Sequence, residues 1–212
     1  MKGITFGDVH SFTDLRLILA SKEIGSPEVK TSKIDIEGAD GSLDLSDYFG
    51  GVKYGNVTHK FDFSTTAPQT QFLSQFSNVK NKLHGKKVRI ILDDDPTFYY
   101  IGRLTVSPFT SDKGIGNISI EADCDPYKYK ATKTVVTQAI SGETSIALTN
   151  SRKKTVPTIT TSAAMTIAFG EFTWSVNSGT FVMPELELSE GINTITAIGT
   201  GTIKFEWQEG EL

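Results

Sequence analysis

The sequence predicts a mainly β protein, in which a β-rich N-terminal domain with one α-helix is followed by an all-β sandwich. Three observations indicate this fold class. Apolar and polar residues alternate with a period of two in many short segments, a single segment has helical periodicity, and the composition changes near residue 131. With 212 residues, 38% hydrophobic and 22% charged, the chain has an ordinary globular composition, and we expect two domains, residues 1–132 and 133–212.

Strand signals dominate the first domain. Residues 57–63 alternate between apolar and polar side chains, and the segments 15–19, 34–36 and 117–121 do the same. Residues 88–92 and 98–106 are rich in aliphatic and aromatic side chains and flank the sequence Asp-Asp-Asp-Pro-Thr. Because β-rich segments on either side of such a polar run are typical of a hairpin, we expect its turn at residues 93–97.

One segment has the periodicity of a helix. Pro68 suits a first helical turn, and Gly85 suits the left-handed residue at which a helix stops. We therefore expect a helix from about Pro68 to His84, with one apolar face formed by Phe72, Leu73, Phe76, Val79 and Leu83.

The second domain has its own composition. Short β-favouring runs are punctuated by Gly, Asn, Ser and Pro at the spacing of a sandwich, and Gly199-Thr200-Gly201 is expected to be a hairpin turn. From Val136 onward four basic residues oppose eight glutamates, so this part carries the whole formal net charge of −4. A boundary near residues 130–137 follows.

Charge and cysteine content exclude several classes of function. The chain has 21 basic and 25 acidic residues and no long basic tract, so direct nucleic-acid binding is not expected. Cys124 is the only cysteine, which rules out an intramolecular disulfide and argues against a thiolate zinc site. No early apolar run resembles a signal peptide and no stretch approaches about 18 apolar residues, so we expect cytoplasmic synthesis and no membrane insertion.

The strongest candidate for metal or acid–base chemistry is the run Asp93, Asp94 and Asp95. A turn is the preferred interpretation, because consecutive extended side chains point to opposite faces and Asp before Pro initiates turns. The histidines lie too far apart for a local zinc motif, and Cys124 has no activating motif beside it. We therefore expect no enzymatic activity, no catalytic residue, no metal and no cofactor; the histidines are His10, His59 and His84.

Trp174 and Trp207 leave a different function open. An exposed aromatic side chain on a sandwich can stack against a sugar ring, which would make the second domain a carbohydrate-binding module that attaches to a cell surface. Both residues also follow a strand-like alternation, which favours a place in the core.

Residues 34–46 carry a distinctive motif, a Gly-x-Asp-Gly turn formed by Gly38, Asp40 and Gly41 and followed by Leu-Asp-Leu. Further segments of note follow in order along nearly the whole chain: residues 50–54, 61–63, 83–86, 92–96, 100–104, 123–127, 188–195 and the final strand through Trp207. Together and in this order, these segments resemble the distal tail proteins (Dit) of bacteriophages and prophages with long, non-contractile tails.

The resemblance implies a structural protein of the virion, made in the host cytoplasm and placed at the tail tip. Its N-terminal domain would be split-barrel or sandwich-like and form a hexameric ring, and its C-terminal domain would be a galectin-like β-sandwich at the periphery. The implied partners are further copies of the chain, the tail-tube protein and the tail-associated lysin or tip protein, with receptor-binding proteins as further candidates. DNA would only pass through the lumen. The loops expected at interfaces carry Gly38, Asp40, Gly41, Asp93, Asp94 and Asp95.

Overall fold

The chain folds into two units in the computed structural model, which describes residues 2–48, 50–112 and 114–212. Unit 1 comprises residues 1–128 with residue 212, and unit 2 comprises residues 129–211. Strands dominate both units, and the one α-helix lies in unit 1 among the described residues, so the predicted fold class is confirmed. The limits 1–132 and 133–212, as those of two independently folding domains, stay a prediction.

Unit 1 is built on an antiparallel sheet. The strands of unit 1 in chain order are β1 (Ile4–Phe6), β2 (Val9–His10), β3 (Leu17–Glu23), β4 (Val29–Lys30), β5 (Lys33–Asp35), β6 (Ser42–Asp44), β7 (Lys53–Tyr54), β8 (Val57–Thr65), β9 (Lys87–Leu92), β10 (Asp95–Val106), β11 (Thr110–Asp112) and β12 (Ile115–Cys124). Strand β13 (Lys128–Lys130) begins at residue 128 and continues into unit 2. The main sheet has the order β2-β1-β9-β10-β12-β8-β3, and β11 pairs with β12.

The period-two pattern of β8 positions the core of unit 1. Val57, Phe61 and Phe63 point to the buried face, as the alternation predicts. Phe6 packs edge-on against both phenylalanines, with ring centroids 5.9 Å from Phe61 and 6.3 Å from Phe63. The aromatic cluster therefore joins the first strand to the centre of the sheet.

Helix α1 (Phe72–Leu83) follows a 3₁₀ turn at Gln69–Gln71 and packs on this core. The prediction of a helix here is confirmed, although Pro68 caps the 3₁₀ turn instead of lying in the α-helix. Gly85 has φ +79°, the left-handed conformation that ends the helix. Within the described part of the chain, no helix has the length and apolar content that crossing a membrane would require.

The exposure of Leu73 differs from what the predicted apolar face of the helix requires. Phe72, Val79 and Leu83 are buried, whereas Leu73 is 72% exposed. Successive helical residues are rotated by about 100°, so Leu73 points away from the face that Phe72 and Val79 share. The prediction that Leu73 belongs to the buried face is wrong.

Residues 29–54, which we call the arm, leave the main sheet between β3 and β8. The arm contains two two-stranded sheets, β4 with β7 and β5 with β6. Gly38 and Gly41 turn the β5–β6 hairpin with φ values of +81° and +75°. Residues 28–44 are all exposed, so the arm adds no side chain from this stretch to the core.

Unit 2 is a curled antiparallel sheet. Its strands are β14 (Thr134–Asn150), β15 (Thr158–Thr161), β16 (Met165–Phe169), β17 (Phe172–Val176), β18 (Gly179–Val182) and β19 (Gly191–Trp207). Strand β20 (Gly210–Glu211) lies outside this sheet and pairs with β13. The order is β17-β16-β19-β15-β18, with β14 paired to β19. Ile167, Ile195 and Phe205 lie in its core.

The prediction of a hairpin turn at Gly199-Thr200-Gly201 is wrong, because these residues continue β19. The strand pairs with β14 along all 17 residues, and Gly199 lies opposite Gly142. Gly199 and Gly201 have φ values of +154° and +148°, which other residues rarely adopt. A Cβ at Gly199 would lie 2.9 Å from the Met165 Cβ, so glycine here permits close backbone approach.

Candidate functional site

Asp93 does not face its neighbours in the acidic run. Its Oδ2 accepts hydrogen bonds from the Gly3 backbone N–H at 2.7 Å and from the His10 Nε2 at 3.1 Å. Burial raises the pKa of the Asp93 carboxyl, but these hydrogen bonds more than offset it and the pKa lies below its usual range. The Asp93 carboxylate, just after β9, is therefore hydrogen-bonded to the residue that precedes β1.

The other two carboxylates have separate partners. Asp94 pairs with Lys22, and this contact lowers the pKa of Asp94. Asp95 lies 3.5 Å from the Lys128 Nζ. Among the described residues, no group of three His, Cys, Asp or Glu side chains is placed to hold a metal ion.

The turn between β9 and β10 is shorter than the sequence suggests. Only Asp93 and Asp94 form it, because Asp95 already pairs with Leu92, and the register becomes irregular before Tyr100. The predicted turn at residues 93–97 is thus correct in place and too long in extent.

The three histidines lie at separate structural positions. The Nδ1 of His10 accepts hydrogen bonds from two backbone amides, and that of His84 accepts one from Val106 at 3.1 Å. His59 is buried in the sheet, accepts from the Gly25 N–H at 3.2 Å, and has its pKa lowered by burial. The Nδ1 atom of each ring therefore accepts a hydrogen bond from the backbone.

Cys124 is buried at the end of β12, opposite Gly102 of β10. Burial raises the pKa of its thiol from 9.0 to about 12. Since the thiolate is the nucleophile, we expect the Cys124 thiol to react slowly in the folded protein.

We expect a colorimetric thiol reagent at pH 8 to modify native Cys124 at least about 100-fold more slowly than the denatured chain, because burial shields the sulfur from the reagent and disfavours the thiolate. The same protein in denaturant is the control. Rapid labelling of the native chain would contradict the burial of this thiol.

The two tryptophans have different environments. Trp207 is 2% exposed and packs in the core of unit 2, so its ring is not accessible to a sugar. Trp174 is half-buried on β17, where its ring stacks on Phe172 with centroids 5.7 Å apart. Phe172 is 51% exposed, so the aromatic pair meets solvent on one side.

Exposed apolar side chains mark the arm. Ile34 and Leu43 lie directly opposite each other in the β5–β6 hairpin and are 51% and 49% exposed; Ile36 is also exposed. Gly38, Asp40 and Gly41 lie at the exposed end of the same hairpin. The structure therefore brings together the predicted loop residues of the arm, but Asp93 to Asp95 belong to a separate turn.

An apolar groove of unit 1 lies beside α1. Its volume is about 520 Å³, and its apolar lining is Leu73, Phe76, Val106, Pro108 and Phe109. The Lys80 Nζ lies over the Phe76 ring, 5.5 Å from its centroid. The helical period alone did not predict this groove, because it places Leu73 on the apolar face of the helix. A leucine adjacent to a buried helical position is the signal that could have revealed the groove.

Comparison with known proteins gives a fold assignment. No protein-family model matches the chain, and no curated protein matches its sequence. The fold of the whole chain is nevertheless that of a known structural protein of bacteriophages. That protein is SPP1 Dit (gp 19.1), whose crystal structure is presented as a paradigm of the hub adsorption apparatus in phages that infect Gram-positive bacteria.

The match to SPP1 Dit has a TM-score of 0.74 and 17% sequence identity, and it covers 100% of both chains. At this identity the likeness establishes the fold. The resemblance to distal tail proteins in the sequence is thus confirmed at the level of fold, over both units.

Proposed function

We propose that this chain is a distal tail protein of a bacteriophage or prophage with a long, non-contractile tail. Copies of the chain form a hexameric ring through residues 1–132. The ring is the hub that joins the tail-tube protein to the tail-associated lysin or tip protein, and the sandwich of residues 133–212 lies at its periphery. The protein acts structurally, without catalysis.

The observation that carries this proposal is the full-length likeness to SPP1 Dit. Both chains are covered completely, so the likeness includes the order of the two units as well as the fold of each. Segments that resemble distal tail proteins in sequence lie in both units. Two kinds of comparison, one of sequence segments and one of backbone, therefore support the same class of protein.

The arm supports self-association. A two-stranded hairpin alone is marginally stable in water, and this one exposes Ile34 and Leu43 to solvent. A contact between two different surfaces of identical chains closes into a ring when the rotation permits it. An arm that contacts a neighbouring copy is consistent with such a ring.

The charge of the chain suits a hub through which DNA passes. The formal net charge is −4, and a strongly basic lining would retain DNA by counterion release. We therefore expect neutral or acidic residues to line the lumen; a lumen lined by lysines would argue against passage without binding.

The test is the mass of the purified protein by light scattering, combined with negative-stain imaging of tails that carry a label on this chain. We expect a mass of six chains, in solution or in assembled tails, and the label at the tail tip. A monomer in both settings, or a label along the tube or on the capsid, would overturn the proposal.

The stacked pair Phe172 and Trp174 supports a second candidate function, which is sugar binding by unit 2. An exposed aromatic face favours stacking on a sugar ring. Glycan-array binding by the whole protein, lost in Trp174→Ala with an unchanged melting temperature, would support it. The absence of binding by the wild type would exclude it.

A further inference from the structure

The arm hairpin exposes apolar side chains to solvent. In the described chain, β5 and β6 form a sheet of their own, and neither joins the main sheet. Ile34 and Leu43 share one face of this hairpin because they are directly opposite in register. Both are about half exposed, so contact with another apolar surface would stabilise the hairpin.

The groove beside α1 is a surface of matching character. Leu73 stands out from the helix, and Phe76 and Phe109, with ring centroids 5.6 Å apart, line the groove next to it. A leucine that is 72% exposed beside an aromatic groove is typical of a surface that a partner covers.

The charges of the two surfaces are opposite. The β5–β6 hairpin, residues 33–44, carries four acidic residues, Asp35, Glu37, Asp40 and Asp44, against one basic residue, Lys33. Helix α1 beside the groove has no Asp or Glu and two basic residues, Lys80 and Lys82, of which Lys80 lines the groove. Complementary charge of this kind orients two surfaces and excludes the reverse arrangement.

We propose that the β5–β6 hairpin of one copy docks in the α1 groove of the next copy, with Ile34 and Leu43 against Leu73 and Phe76, and with the acidic hairpin beside Lys80 and Lys82. The inference rests on the proposed ring and names the contact that closes it. Because hairpin and groove are different surfaces of the same chain, the contact is head-to-tail and every copy both gives and receives a hairpin.

A cross-linking experiment tests the pairing directly. Leu43→Cys and Leu73→Cys chains are prepared separately, mixed, and treated with a short bis-maleimide. Native Cys124 is buried and does not compete. We expect the mixture to yield a covalent heterodimer at least about tenfold above a control mixture of Leu43→Cys with Ile192→Cys, whose leucine-sized site in unit 2 is 73% exposed.

Charge reversal provides the second measurement. Asp35→Lys, Glu37→Lys and Asp40→Lys are combined in one chain, and Asp44 is kept because its carboxylate accepts a hydrogen bond from the Ser46 N–H. We expect self-association to weaken about tenfold, since each exposed ion pair contributes little alone. Adding Lys80→Glu and Lys82→Glu should restore most of the loss.

The matched control reverses the same number of charges on unit 2. Glu143, Glu171 and Glu185 are exposed there, and their replacement by lysine should leave association near the wild-type value. Melting temperatures show that every variant is folded. The measurements are made where the wild type forms rings, whether in solution or in assembled tails.

The outcomes separate the two proposals. Rings that persist with unchanged affinity after charge reversal, together with cross-linking no higher than the control, would overturn the docking contact and leave the ring intact. A wild-type chain that is monomeric both in solution and in tails would overturn the ring, and the docking contact with it.

Discussion

Replacing Phe61 with alanine will lower the free energy of unfolding by about 3–5 kcal/mol, the cost of removing a large aromatic side chain from a packed core. Phe61 is fully buried in β8, and its ring packs against Phe6 at an interplanar angle of 66°. A typical domain is stable by about 5–15 kcal/mol, so this single change removes a large fraction of the stability.

Urea unfolding followed by far-ultraviolet circular dichroism measures the effect of Phe61→Ala. Phe172→Ala is the control, because it removes the same ring from a site that is 51% exposed, and its effect should be much smaller. Equal losses of stability in the two variants would show that Phe61 does not occupy the core position described above.

Replacing Gly102 with alanine will destabilise unit 1 by about 1–3 kcal/mol, the usual cost of overpacking. Gly102 faces Cys124 across the β10–β12 pair, and a Cβ added there would lie only 2.4 Å from the Cys124 Sγ. Gly102 belongs to one of the segments that resemble distal tail proteins, so the structure supplies a physical reason for glycine at that point.

A double-mutant cycle identifies the cause of the Gly102→Ala effect. Cys124→Ala removes the sulfur that the new methyl group would meet, so the double variant should recover much of the lost stability. Recovery will be partial, because the Asp123 carbonyl oxygen would still lie 3.1 Å from the new Cβ. Strictly additive losses in the two single variants would refute a clash with the sulfur.

Local patterns in the sequence predicted the individual elements well. The alternation in residues 57–63 identified β8, and the 3.6-residue periodicity before Gly85 identified α1. These features depend on neighbours along the chain, because the period of side-chain direction is a property of each backbone conformation. The fold class, including the β-rich second unit, followed from them.

Local patterns failed where distant parts of the chain decide the conformation. Gly199 and Gly201 look like a turn, but pairing with β14 keeps them inside one long strand. Leu73 looks like a core residue, but the rotation of α1 on the sheet leaves it exposed. The residue opposite Gly199 is Gly142 of β14, which lies tens of residues away, so no short window of sequence contains the deciding partner.

Alternation, helical period and composition are local signals, and they were enough to predict a β-rich protein with one helix and a second β-rich unit. Which polar and apolar groups meet depended on the folded chain. Folding joined Asp93 to Gly3 and His10, buried Trp207, and left the arm hairpin and the α1 groove open to solvent. Burial and partnership depend on long-range packing, so the surfaces on which the proposed assembly depends become visible only in the folded chain.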